Sequence, residues 1–143
     1  LHDDLATLLA GQAYIRFEPR GQYIGTEPYS KWTKPSCVLI GEDNYSDASG
    51  FPYVYKTLGI GKLIGAPVPG TMTAVWWETQ IDPSIVFGIP QVGSVGTKEG
   101  RYLENMQVEP DILVYNDPAS VLRGEDKQLE AAVKEMLKTI DNK

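Results

Sequence analysis

The residue with most chemical promise is Ser46, in the stretch Asp43-Asn44-Tyr45-Ser46-Asp47-Ala48-Ser49-Gly50-Phe51-Pro52-Tyr53. It follows the apolar run Ser36-Cys37-Val38-Leu39-Ile40 and precedes an expected helix. The first backbone N–H groups of a helix have no partners within it. They favour negative charge, including charge that develops during a reaction. A serine at such a turn has the logic of a nucleophile elbow, although the G-x-S-x-G signature of α/β-hydrolases is absent. On residue type alone, an unremarkable loop serine is the default reading.

A serine hydroxyl is a weak nucleophile at neutral pH. It needs a base within hydrogen-bond reach, and that base needs a third group to orient it. The only histidine is His2, in the first turn of an expected end helix, where an exposed surface role is the ordinary one. A lysine base must be desolvated to lose its proton. No sequence feature provides this for Lys56, Lys62 or Lys98, which read as surface charges. If Ser46 is a nucleophile, its base is expected outside this chain.

Other chemistries find little support. One His and one Cys make no metal-ligand cluster, and Glu42, Asp43 and Asp47 do not follow a calcium-loop pattern. Gly59-Ile60-Gly61-Lys62-Leu63-Ile64-Gly65 lacks both glycine-rich phosphate-binding spacings and reads as a tight turn. Cys37 cannot form an intramolecular disulfide and reads as a small buried core residue. Trp76 and Trp77 must face opposite sides of a strand. One is expected in the core, the other on a groove or partner surface.

The elements that would position Ser46 follow from patterning. A helix is expected over 2–10, a short strand over 13–17 and a long irregular loop over 18–35. A buried, parallel-type strand covers 36–40, and a helix about 48–58, with Pro52 confined to its first turn and Gly59 at its end. Strands are expected at 62–64 and 73–78, then at 85–89 and 91–95 as two pieces broken by Pro90, and at 112–115. Asp117-Pro118 reads as an N-cap with proline at the first helical position, opening a short helix over 118–122. Leu129, Ala132, Val133, Met136, Leu137 and Ile140 share one face of a closing helix that Asp126 would cap. The result is a mixed α/β domain.

The totals are consistent with this. The chain has 143 residues, 42% hydrophobic and 22% charged, which fits one globular domain. Its net charge of −6 and lack of a basic patch argue against nucleic-acid binding. No apolar run approaches the roughly 20 residues of a membrane-spanning helix. Leu1-His2-Asp3-Asp4 does not read as a natural start, which points to a piece of a longer protein.

Three stretches carry a resemblance. They are residues 44–70 (NYSDASGFPYVYKTLGIGKLIGAPVPG), 99–114 (EGRYLENMQVEPDILV) and 124–133 (GEDKQLEAAV). Together they resemble the catalytic core of the S41 serine peptidases, the tail-specific and tricorn-type proteases. In that family a serine opening an S-x-[AGS]-[ED] element between strand and helix is the nucleophile. Ser46-Asp47-Ala48-Ser49 matches, with Ser49 in place of the usual acid. The resemblance implies Ser46 as nucleophile and the Asp47 N–H as an oxyanion-hole donor. Tail-specific members use a lysine base, but Thr71 stands at that position. Tricorn-type members use a histidine supported by a glutamate in an E-N-x-G-V-x-P-D-like motif. Here the motif reads Glu104-Asn105-Met106-Gln107-Val108-Glu109-Pro110-Asp111, which implies Glu104 as the supporting glutamate, with Gln107 where glycine is usual. The histidine and a glycine giving the second oxyanion donor lie upstream in such enzymes. His2 does not match the histidine motif.

The resemblance implies a ClpP/crotonase-like α/β core of β-β-α units, with residues 1–143 as the C-terminal part of the catalytic domain. It implies a peptide or protein substrate, the remainder of the peptidase chain as partner, and a homo-oligomer as one assembly to test. It requires no cofactor or metal, and for bacterial members implies export. Two rivals stand beside it: an inactive fragment that binds peptides or assists assembly, and an acyl-CoA enzyme of crotonase type. Nothing in the sequence suggests CoA binding.

Overall fold

The computed structural model describes residues 1–141. The elements run α1 (His2–Ala10), β1 (Ile15–Phe17), β2 (Gly25–Glu27), β3 (Cys37–Ile40), α2 (Asp47–Thr57), β4 (Lys62–Gly65), β5 (Thr73–Thr79), β6 (Val86–Gly93), β7 (Ile112–Leu113), α3 (Pro118–Leu122) and α4 (Lys127–Asp141). The mixed α/β class expected from the sequence is the class observed. The loop over 18–35 is less irregular than expected. It holds a 3₁₀ turn at Pro19–Gly21 and strand β2, which pairs antiparallel with β1.

The centre is a parallel sheet in the order β3-β4-β7. Parallel neighbours need a crossover connection, and α2 supplies it between β3 and β4. Cys37 to Ile40 align in register with Lys62 to Gly65, and Ile64 and Gly65 with Ile112 and Leu113. Ile40, Tyr55, Leu63 and Val68 form the buried core, flanked by Leu9, Val38, Phe51, Ile60 and Val108. Tyr55 is fully buried, and its hydroxyl is satisfied by Ser36 Oγ at 2.8 Å. Helix α1 packs on α2, while α4 packs on β3 and β4. Cys37 is half-buried rather than buried. Burial, with Glu135 adding a smaller effect, pushes its thiol up from the ordinary value.

Helix α2 begins at Asp47, and Pro52 lies well inside it rather than in its first turn. A proline there removes one helix hydrogen bond and leaves the carbonyl four residues earlier without a donor. That carbonyl is Ala48, and Asn44 Nδ2 donates to it at 2.7 Å. Asn44 Oδ1 also accepts from Gly41 N–H at 3.1 Å, so one side chain ties the β3 exit to the start of α2. The helix ends as Gly59 allows: at φ 64° it lets Ile60 N–H return to Tyr55 O at 3.1 Å and its own N–H to Lys56 O at 3.0 Å.

Residues 85–95 do not split at Pro90. Strand β6 runs through it from Val86 to Gly93, paired antiparallel with β5. The register shifts between Ala74 and Val75, so Val92 faces Ala74 and Pro90 faces Val75. Such a bulge is where a sheet tolerates a residue with no N–H to donate. Neither tryptophan is in the core: Trp76 is 56% and Trp77 62% exposed. Strand β7 is shorter than expected. Asp117 caps α3 by accepting from Ser120 N–H at 2.9 Å, and Asp126 caps α4 by accepting from Leu129 N–H at 2.9 Å.

Candidate active site

Ser46 occupies the turn between β3 and α2, with its side chain at an exposed position. Its backbone is at φ 55° and ψ −120°, a region that non-glycine residues seldom enter. Strain of this kind is worth on the order of 1–3 kcal/mol and persists only where surrounding bonds enforce it. Here they do: Ser46 O accepts from Ser49 N–H at 2.8 Å and Gly50 N–H at 2.9 Å. The Ser46 N–H donates to Thr71 Oγ1 at 2.9 Å. Asp47 is the first residue of α2, and its N–H makes no hydrogen bond among the described residues. A free amide therefore follows directly after the serine.

Glu104 reaches the same place from a distant loop. It lines a cavity of about 630 Å³ with Tyr45, Ser46, Thr71, Trp77 and Pro90. Its Oε2 accepts from Met72 N–H at 2.7 Å. The Thr73 hydroxyl, with the Met72 and Thr73 N–H groups, holds its carboxyl below the usual carboxylate range against the opposing effect of burial. Stabilising the charged form in this way lowers a pKa. Glu104 is thus an ionised carboxylate near neutral pH, fixed on one side of the cavity that Ser46 opens into.

His2 departs from its expected surface role. It is half-buried, and its Nδ1 lies 2.6 Å from Asp47 Oδ1. With Ser46, Asp47, Thr71, Met72 and Ser94 it lines a second cavity of about 160 Å³. The signal was present but faint: Ala6 lies one helical turn from His2, on the face that α1 buries against α2. The imidazole is engaged with Asp47 and makes no hydrogen bond to Ser46 among the described residues.

The lysines stand elsewhere. Lys56 Nζ donates to Glu109 O at 2.6 Å and Lys98 Nζ to Thr57 O at 2.6 Å, while Lys62 pairs with Glu135. Among the described residues, no group of His, Cys, Asp and Glu could hold a metal ion, and no helix is long and apolar enough to cross a membrane. Ser46 and Glu104 line one cavity, and Asp47 follows Ser46 directly at the start of α2. Asn44 also shapes the turn but carries no motif, and Ser49 does so from the motif position where an acid is usual.

Comparison with known proteins bears on the family and the fold. The chain is 34% identical over 105 residues to a protein of Chlamydia pneumoniae, covering 73% of this chain and 16% of that one. It is 28% identical over 124 residues to the tricorn protease of Thermoplasma acidophilum, covering 87% of this chain and 12% of the relative. The chain thus spans less than a fifth of the length of these relatives. The crystal structure of the tricorn protease superposes with a TM-score of 0.82 at 22% identity, over 98% of this chain and 14% of that one, which shows a shared fold. The model of peptidase family S41 matches residues 9–114. The chain belongs to peptidase family S41.

Proposed function

We propose that these residues form the nucleophile side of a serine peptidase active site of tricorn type, within a larger catalytic domain. Ser46 Oγ attacks the carbonyl carbon of a peptide bond while its proton passes to a histidine contributed by an upstream segment outside this chain. The Asp47 N–H receives the developing oxyanion. Glu104 holds the imidazole in the orientation and charge state that the step requires. Collapse of the tetrahedral intermediate expels the amine, which takes a proton from the imidazolium. Water then hydrolyses the acyl-enzyme, regenerating the Ser46 hydroxyl.

The observation that carries this reading is the juxtaposition of a strained serine, a free amide after it and an ionised Glu104 across one cavity. Full-length protein should cleave peptides, and Ser46→Ala should lower turnover by at least about 10³-fold, as removal of a nucleophile does elsewhere. Unchanged turnover in that variant would sink the assignment.

A second reading is favoured by one observation. No described base touches Ser46, since His2 bonds Asp47 and the candidate lysines bond other groups. In that reading the segment binds peptide or supports assembly without catalysis. It predicts that the full-length protein binds peptides but does not turn them over. Under either reading the 143-residue chain alone should show little hydrolysis.

A further inference from the structure

The hydrogen bonds behind Ser46 form a chain whose proton directions can be assigned. Ser49 Oγ donates to the Asn44 carbonyl at 3.0 Å. A hydroxyl carries a single proton, so Ser49 has none left for Thr71. The 3.0 Å contact between Ser49 Oγ and Thr71 Oγ1 must therefore carry the threonine proton. Thr71 Oγ1 keeps its lone pairs for the Ser46 N–H at 2.9 Å. The sequence of donors runs one way: Ser46 N–H to Thr71, Thr71 to Ser49, Ser49 to Asn44. Ser49 is 1% exposed, so solvent hardly competes for the middle link.

We infer that Thr71 and Ser49 are positioning residues that hold Ser46 in its reactive conformation, an inference that rests on Ser46 being the nucleophile. The backbone of Ser46 is gripped on both sides. Its carbonyl receives the N–H groups of Ser49 and Gly50, and its N–H is tethered through Thr71 to the hydroxyl of that same Ser49. Loss of the tether frees the Ser46 φ angle to relax from 55°, and relaxation swings Oγ away from the line of attack.

Thr71 can serve as an anchor because its own backbone is pinned. Gly70, at φ 85°, lies so close to Met106 O that a Cβ would come within 2.2 Å of it. The next residue, Met72, gives its N–H to Glu104. Two consecutive residues thus hold the two sides of the site: the Thr71 hydroxyl holds Ser46, and the Met72 amide holds Glu104. The Thr71 hydroxyl joins neutral groups only, so that tether sets geometry without moving charge, whereas the Met72 amide meets the charged Glu104 carboxylate.

The test uses the full-length protein and a peptide substrate, with Ser46→Ala as reference. Misplacing a reacting group by about 1 Å costs up to about 10²-fold, so Thr71→Val should lower kcat by about 10- to 100-fold with KM within about 2-fold. Thr71→Ser, which restores the hydroxyl, should recover kcat to within about 3-fold of the parent. Ser49→Ala should lower kcat in the same way with KM unchanged, and decides the matter if Thr71→Val does not fold. Parent-like kcat in Thr71→Val or, where that variant does not fold, in Ser49→Ala overturns the inference, as does a Thr71→Ser that fails to recover. Loss of turnover in Ser46→Ala alongside parent-like Thr71→Val sinks the inference alone. Retained turnover in Ser46→Ala sinks the nucleophile reading and this inference with it.

Discussion

The cavity at Ser46 has two walls of different construction. One comes from the β3–α2–β4 unit, where Leu63 and Tyr55 are fully buried and the turn is clamped by Asn44. The other comes from the β5–β6 hairpin, which contributes Val75, Trp77 and Pro90 while leaving much of its surface to solvent. The first wall carries the groups with strict geometric demands. The second carries bulky side chains whose demands are looser. Precision at the serine is thus supplied by the buried unit, and the hairpin is free to present contact surface.

Mutation at matched positions can break this contrast. Leu63→Ala, in the buried unit, should lower unfolding free energy by about 2–5 kcal/mol in urea titration, through lost burial and an unfilled cavity. A loss below about 1 kcal/mol would show that the sheet is not the stabilising centre. Asn44→Ala should cost about 0.5–1.5 kcal/mol, because the exposed Ala48 carbonyl that Pro52 leaves unpaired exchanges its side-chain donor for water. An unchanged urea midpoint would remove Asn44 from the description of the turn.

The Glu104 seam between the walls offers a pH test. Its folded pKa is lowered by Thr73 and Met72. Its contribution is therefore fully present above the unfolded glutamate value of about 4.3 and is lost as pH falls through the folded value. Glu104→Gln should reduce stability at pH 7 and flatten the decline as pH falls below the unfolded glutamate value of about 4.3. An equally steep decline in the variant would show that Glu104 is not held as the geometry indicates. The smallest change is expected at Trp76→Ala on the outer hairpin, within about 0.5 kcal/mol. A larger loss would show that the hairpin shares in the folding core.

Much of this architecture was legible because local chemistry matched the final structure. Asp117-Pro118 and Asp126 are capping signals that act over three residues, and both caps formed. Gly59 ended α2 for a reason visible in one residue type. Structure and local rule part where a distant partner intervenes. Local rules confine Pro52 to a first turn, but the donor that compensates for it belongs to Asn44, outside the helix. Pro90 on its own signals a break, but the bulge that accommodates it is set by the register of β5. Alternation divides Trp76 and Trp77 between core and surface, but says nothing about whether a second layer exists. Position in an end helix puts His2 on the surface, but its contact with Asp47 depends on how α1 docks on α2. Ser46 and Glu104 entered through motifs, and spacing by itself would not have joined them.

The pairing of β4 with β7 has a consequence for the order of folding. Gly65 lies beside Leu113, and the entire β5–β6 hairpin falls between them in sequence. Closing a long flexible loop is entropically unfavourable, and contacts between distant residues slow folding. A hairpin forms within microseconds from neighbours in the chain. Once formed, it brings Thr73 and Gly93 together and shortens the effective loop that β7 must close. The exposed wall of the cavity can thus act early in folding, as a splint for the sheet that later holds Ser46.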